Sequence, residues 1–245
     1  MMKNPISVNN KVFIITGVSS GIGKYLANSI SEQGAIVYGI SRKRLKNTKF
    51  INLNCDVNNQ TKLRSIIKKI YLKEKKIDVL INNAGVTFEK KSLSENMNYF
   101  DKTISTNTKS PILTSLECFK YMSKKNNGSI INICSLSSKL GFPMNPAYVA
   151  SKAALAQSGK ALALDFGRKN IRVNNILPGY IKTKMTLKSR KSKKRFNERK
   201  KRTILNRWGD SSDLLGAVLF LSSDSSSYIT GADIPVDGGW LAKGI

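Results

Sequence analysis

Short runs rich in β-branched residues recur along this chain, and each is followed by a longer stretch with apolar residues at helical spacing. The short runs fall at residues 11–16, 36–40, 50–54, 78–82, 129–134 and 171–177, with a last brief one at 234–236. The longer stretches fall at 22–33, 60–73, 100–124, 147–168 and 213–222. The runs are apolar nearly throughout instead of alternating, which calls for strands covered on both faces. Repetition of strand, helix, strand predicts a parallel sheet with helices on either side. No linker, internal repeat or low-complexity run divides the chain, and 245 residues suffice to bury one full core. The expectation is a single doubly wound α/β domain over residues 1–245, with a parallel seven-stranded sheet and helices on both faces.

Composition narrows the chemistry. A hydrophobic share of 40% with 8% aromatics excludes a disordered chain despite the charge. No apolar run approaches the roughly 18–20 residues that cross a bilayer; the longest lies near 214–221. Residues 1–10 lack the apolar stretch of a signal peptide, so a soluble cytoplasmic protein is expected. There is no histidine, and Cys55, Cys118 and Cys134 lack metal-ligand spacing. His-based triads, most zinc sites and haem ligation are thereby excluded, and no metal is expected. The formal charge is +27, in a chain jointly rich in Lys, Asn and Ile, a bias of the kind that gene base composition produces. The excess is uneven: residues 182–202 hold twelve Lys/Arg and one acid, Glu198.

In doubly wound sheets ligands bind outside the carboxyl ends of the strands, and the unusual residues stand there. After the first run come Gly17, Gly21 and Gly23, opening a helix. Glycines there permit a tight turn, close approach to a pyrophosphate and close helix–strand packing, while free amides at the helix start hold phosphate. The spacing G-x-x-x-G-x-G departs from the commoner dinucleotide fingerprint, so a purely structural turn is the competing reading. The second run ends in Ser41-Arg42-Lys43-Arg44 with no acid nearby. A carboxylate would repel a ribose 2′-phosphate, whereas Arg42 can grip one, which favours NADP over NAD. Asp56, after the third run, is placed to accept from an adenine amino group. Ser135 follows the fifth run, and Tyr148 and Lys152 stand four apart on a predicted helix, on one face. An ammonium there is expected to pull the phenol below its usual pKa of about 10, and Ser135 can donate to the carbonyl oxygen that Tyr148 protonates. Asn145-Pro146 reads as the helix start, putting Tyr148 in the first turn.

These residues, with Asp56-Val57, Asn82-Asn83-Ala84-Gly85, Asn107, Pro178-Gly179 and the ending Val236-Asp237-Gly238-Gly239-Trp240, resemble the short-chain dehydrogenase/reductase family over essentially the whole chain. The resemblance implies a Rossmann-type fold and an active NAD(P)-dependent enzyme that interconverts a secondary alcohol and a ketone. It implies that Ser135 orients the substrate, Tyr148 is the acid/base, and Lys152 binds the nicotinamide ribose. Asn107 matches the asparagine that holds a water linking the lysine to a proton relay. Gly17, Ser19, Ser20, Gly21, Ile22 and Gly23 match the phosphate turn, and Asp56 and Val57 the adenine side. Asn83, Ala84 and Gly85 match the segment supporting the central sheet. Pro178, Gly179, Ile181 and Thr183 match the segment at the nicotinamide. NADP-preferring members often carry a basic residue before the second glycine; here it is Ser20, so NAD stays open.

In relatives the stretch after Pro178-Gly179 is a helical lid, here the basic residues 182–208. Such a lid would concentrate an anionic substrate: a sugar acid, a nucleotide-linked sugar or an acyl carrier protein. Asn206-Arg207-Trp208-Gly209 and the C-terminal ending resemble the branch acting on gluconate and deoxygluconate; a 3-oxoacyl-carrier-protein reductase is the competing enzyme. A silent binding protein using its basic face is the reading from another class. Nucleic acid is disfavoured because only Phe196 interleaves the basic run. The resemblance also implies a homotetramer or homodimer pairing the helices near 100–124 and 147–168, with Ala150, Ala153, Ala154, Ala161 and Ala163 permitting close approach.

Overall fold

The computed structural model describes residues 5–88 and 97–243. Seven strands, β1 (Val12–Thr16), β2 (Ile36–Ser41), β3 (Ile51–Asn54), β4 (Val79–Asn82), β5 (Gly128–Ile133), β6 (Ile171–Pro178) and β7 (Asp233–Val236), form one sheet in the order 3-2-1-4-5-6-7. Every pairing is parallel. The helices are α1 (Gly21–Ser31), α2 (Gln60–Glu74), α3 (Met97–Ile104), α4 (Ser110–Met122), α5 (Pro146–Gly167), α6 (Leu187–Lys191), α7 (Lys193–Arg202) and α8 (Leu215–Ser222). Strand order reverses between β1 and β4, which puts the crevice above their carboxyl ends.

Successive side chains of a strand point to opposite faces, and the two halves of the core follow from that alternation. Phe13 and Ile15 of β1 pack with Leu26 and Ile30 of α1 and Val218 and Leu221 of α8. Val12 and Ile14 pack on the other face with Leu63 and Ile67 of α2 and Met122 of α4. Each such side chain, fully buried, contributes about 1.5–3 kcal/mol.

A buried polar row crosses the sheet. Asn82, Asn132, Asn175 and Asp233 lie side by side in register on β4 to β7. Asn82 Nδ2 donates to Asn132 Oδ1 (2.9 Å), Asn132 Nδ2 to Asn175 Oδ1 (3.0 Å), and Asn175 Nδ2 to Asp233 Oδ1 (2.7 Å). Lys139 and Lys160 close the row on Asp233 at 2.6 and 3.1 Å. A shift of one residue in any pairing would strand these groups without partners, so the row locks the register.

The helix expected over 100–124 is interrupted. Residues Ser105–Lys109 form a π turn, in which the Ser110 N–H reaches back to Ser105 O. Pro111 has no N–H to offer the Asn107 carbonyl, so the α-helical pattern cannot continue there. The helix expected over 213–222 likewise begins as a 3₁₀ turn, Ser211–Leu214, before α8.

Candidate active site

β1 ends at Thr16 and α1 begins at Gly21, leaving a four-residue turn. Gly17 has φ +76°, and a Cβ on it would meet the Ala84 backbone at 2.7 Å. No side chain but hydrogen fits. Asn83 ties this turn to β4: its Nδ2 donates to Thr16 O (2.9 Å) and Gly17 O (3.1 Å), and the Asn83 and Ala84 amides donate to Thr16 Oγ1. Ser20 caps α1 in extended backbone without a side-chain hydrogen bond. Thr183 leans onto the turn from beyond β6, its Cγ2 only 3.3 Å from where a Gly21 Cβ would stand. Gly21 thus lies beside Thr183 and Gly23 beside Asn83, with Ser19, Ser20 and Ile22 in the same turn and helix start. A turn with unfilled amides at a helix start, and no room for a Cβ, fits a pyrophosphate.

At the end of β2, Arg42 is exposed. The Arg42 carbonyl accepts from Asn54 Nδ2 (2.7 Å), which pins the loop from β3. No carboxylate among the described residues pairs with Arg42. Asp56 accepts from the Asn58 amide (2.9 Å) through one oxygen. Val57 is a core residue: its side chain is buried and its carbonyl accepts from Ser110 Oγ and Gln60 Nε2. Ile181 and Pro178 are also buried, supporting the site through the core. The Gly179 amide donates to Val236 O, which fixes the turn after β6 to β7.

Asn107, Ser135, Tyr148 and Lys152 converge above β4 and β5. Asn107, in the π turn, is fully buried. Its Oδ1 accepts from the Val86 amide (2.8 Å), and its Nδ2 donates to Val86 O (2.9 Å) and Ser151 Oγ (3.0 Å). Gly85 sits between Asn107 and Lys152: a Cβ there would lie 3.4 Å from Asn107 Oδ1 and 3.7 Å from Lys152 Nζ. The Lys152 Nζ donates to Ile133 O at 2.7 Å and stands 6.0 Å from the centre of the Tyr148 ring. Ser135 Oγ accepts from the Ser137 amide (3.2 Å), which leaves its hydroxyl proton free to donate. Tyr148 is the third residue of α5, so the first-turn placement holds. Asn145 occupies the cap position but spends its side chain elsewhere, Nδ2 donating to Thr87 Oγ1 at 2.8 Å.

The expected lowering of the phenol is corrected here. Burial raises the Tyr148 pKa above its ordinary value, and a hydrogen bond from Ser135 only partly opposes it. Burial also lowers the Lys152 ammonium. The Lys152 Nζ, held against the Ile133 carbonyl and 6.0 Å from the centre of the Tyr148 ring, is not among the groups that move the phenol.

The motifs at 206–209 and 236–240 include Trp208 and Trp240 but not Tyr180, Phe142 or Arg199, which gather with them. Tyr180, directly after Pro178-Gly179, lies edge-on to Phe142 (6.4 Å between centroids) and Trp208 (5.2 Å) and tilted against Trp240 (5.0 Å). The Arg199 guanidinium lies over the Tyr180 ring at 4.5 Å. Sequence position alone could have flagged Tyr180; nothing in the sequence brings Phe142, Trp208 and Trp240 to it. A cavity of about 420 Å³ between the segment after α7 (Thr203, Leu205, Arg207) and the segment from β7 (residues 235–239) shares Gly179 and Tyr180 with this region but contains neither Tyr148 nor Ser135. No group of metal-binding side chains occurs among the described residues.

A family model described as Enoyl-(Acyl carrier protein) reductase matches residues 17–241. A 2-dehydro-3-deoxy-D-gluconate 5-dehydrogenase from Pseudoalteromonas atlantica is 34% identical over 254 residues, covering 99% of this chain and 100% of that protein. A 3-oxoacyl-[acyl-carrier-protein] reductase from Thermotoga maritima is 34% identical over 243 residues, covering 95% and 98%. The crystal structure of a gluconate 5-dehydrogenase from Burkholderia cenocepacia, in complex with NADP and tartrate, superposes with a TM-score of 0.92 at 27% identity, covering 98% of each chain. On its sheet order, its glycine turn and these likenesses, the chain belongs to the short-chain dehydrogenase/reductase family.

Proposed function

We propose that this protein is an NADP-dependent dehydrogenase/reductase that interconverts a secondary alcohol and a ketone on a sugar acid. The observation that carries the reading is the convergence of Ser135, Tyr148, Lys152 and Asn107 beside a phosphate-shaped turn. The substrate class rests on the relatives named for gluconate and deoxygluconate, one of them in complex with NADP and tartrate.

Gly17, Ser19, Ser20, Gly21, Ile22 and Gly23 would hold the pyrophosphate, Arg42 the 2′-phosphate and Asp56 the adenine. Asn83, Ala84 and Gly85 back the turn, Val57 shapes the adenine side from the core, and Pro178, Gly179, Ile181 and Thr183 face the nicotinamide end. When bound, the nicotinamide supplies hydride in reduction and accepts it in oxidation. In reduction Tyr148 gives its proton to the carbonyl oxygen while Ser135 donates a hydrogen bond to the same atom. Lys152 holds the ribose, and Asn107 links it to solvent for reprotonation of Tyr148. Burial raises the phenol's pKa, which favours the protonated form that reduction uses.

Residues 182–208 act as the lid over the substrate. The exposed lysines and arginines of α7 also suit an acidic carrier protein, and this observation keeps 3-oxoacyl-carrier-protein reduction as the second reading. A homotetramer or homodimer in the cytoplasm completes the proposal. Its support is an outward stripe on α5, with Ala150, Ala154 and Ala161 exposed, Leu164 80% exposed, and Leu116 of α4 nearby in the fold. Ala163 does not belong to that stripe, since it is buried within its own chain.

The test is turnover with a panel of keto-sugar acids, neutral ketones and acetoacetyl thioesters, run with NADPH and NADH on the wild type and Arg42→Asp. Turnover of keto-sugar acids with NADPH is expected, with preference moving toward NADH in the variant. Activity confined to the thioesters would favour the carrier-protein reading. No turnover with any substrate would sink both.

A further inference from the structure

The face of α7 turned to the protein carries Phe196, Arg199 and Arg202 at helical spacing. Each meets one aromatic ring. Phe196 stacks on Trp208 at 5.4 Å, and its carbonyl accepts from the Trp208 indole N–H at 3.0 Å. Arg199 lies over Tyr180 at 4.5 Å, and Arg202 over Trp240 at 5.1 Å. The inner face of α7 is therefore docked by aromatic contacts, while ion pairs stand at the two ends of the lid, Lys182–Asp210 at 3.0 Å and Arg207–Asp213 at 2.7 Å.

Arg199 is the unusual member. It is only partly exposed, unlike Arg202, and its Nε is buried without a hydrogen-bond partner. No carboxylate among the described residues pairs with it. Asp237, which leads into the segment carrying Trp240, already accepts from the Gly239 and Leu241 amides at 2.9 Å each. A guanidinium with an unmet buried donor normally has a partner. Its stacking ring belongs to Tyr180, which leaves β6 beside the end of β5 and touches Phe142 in the loop between Ser135 and α5. Arg199 is thereby held one ring away from that loop, with its Nε lacking a hydrogen-bond partner.

We propose that Arg199 is the specificity-determining residue that receives the substrate's carboxylate, by a charge-assisted and planar contact across the lid from Tyr148. This rests on the sugar-acid reading for the identity of the substrate, though not for the presence of an anion site. A planar fork prealigned on Tyr180 matches two carboxylate oxygens, which a lysine ammonium does not. Arg190, the other arginine with an unpartnered Nε, is directed elsewhere: its Nη2 donates to Thr183 O at 3.1 Å, next to the glycine turn.

The experiment follows tryptophan fluorescence of the NADP-saturated protein during titration with D-gluconate, tartrate and the neutral polyol sorbitol. It compares the wild type with Arg199→Gln and Arg199→Lys, and checks each variant's melting curve and NADP affinity. The expected result is a roughly tenfold to hundredfold weaker Kd for gluconate and tartrate in Arg199→Gln. A smaller loss is expected in Arg199→Lys, with NADP affinity unchanged and any sorbitol binding unaffected. Unchanged carboxylate binding in Arg199→Gln overturns the proposal, as does an equal loss for sorbitol. Wild-type protein that binds neither carboxylate also overturns it. Carboxylate binding that depends on Arg199, without turnover of any sugar acid, leaves this inference standing and refutes the proposed reaction instead.

Discussion

Tyr148 illustrates how little a residue's identity says about its acidity. Its phenol, partly buried and facing Ser135, is raised above the ordinary 10.0, which favours the protonated form. The sign follows directly. Reduction needs the protonated phenol, so its rate should stay level across neutral pH and fall only as pH passes above the raised value. Oxidation needs the phenolate, so kcat/KM should climb about tenfold per pH unit through the neutral range. A plateau of the oxidative rate near pH 7 would show that the phenol is lowered in the working complex. Tyr148→Phe should leave NADP affinity unchanged and lower kcat by roughly 10²–10⁴. Substantial remaining turnover would assign the proton to another group. The residue types were legible: Ser135, Tyr148 and Lys152 stand out by their spacing taken with the glycine turn upstream, and the family resemblance implies their roles. The direction of the pKa was not, because desolvation depends on atoms that chain neighbours do not supply.

Among the elements, α5 shows why a glycine can sit mid-helix. A Cβ on Gly159 would fall 2.6 Å from Asn175 Oδ1 and 3.0 Å from Asn132 Nδ2, inside the polar row that crosses the sheet. Gly159→Ala should therefore destabilise by about 1–3 kcal/mol through overpacking, lowering Tm by roughly 2–4 °C per kcal/mol. Gly216, in α8, meets nothing within 4 Å, so Gly216→Ala should raise Tm through helix propensity, by up to about 1 kcal/mol. Differential scanning calorimetry of the two variants gives opposite shifts if this packing is right. Both glycines look alike in the sequence. The strands and most helices could be read from periodicity because burial on both faces leaves a continuous apolar signature. The break at Ser105–Lys109 could not, since its apolar spacing hardly changes; Pro111 was the one local sign that Asn107 would lose its helical bond.

For the whole molecule the controlling quantity is charge. Each chain carries a formal +27, and four together would gather more than a hundred positive charges. Mutual repulsion is screened by salt over a Debye length of about 10 Å at 0.1 M. The outward α5 stripe should pair more tightly at high ionic strength, and light scattering should record a larger mass there than at low salt. A monomer under both conditions would show that Leu164 and its neighbours form no interface. The chain's own apolar periodicity and glycine spacing determined the layers, the parallel sheet and the place of the glycine turn, because these arise from contacts repeated along each element. Folding in three dimensions decided the ring of aromatics around Tyr180, the unmet donor of Arg199 and the acidity of Tyr148. Those depend on groups tens of residues apart, and only the packing of one strand end against another brings them within reach.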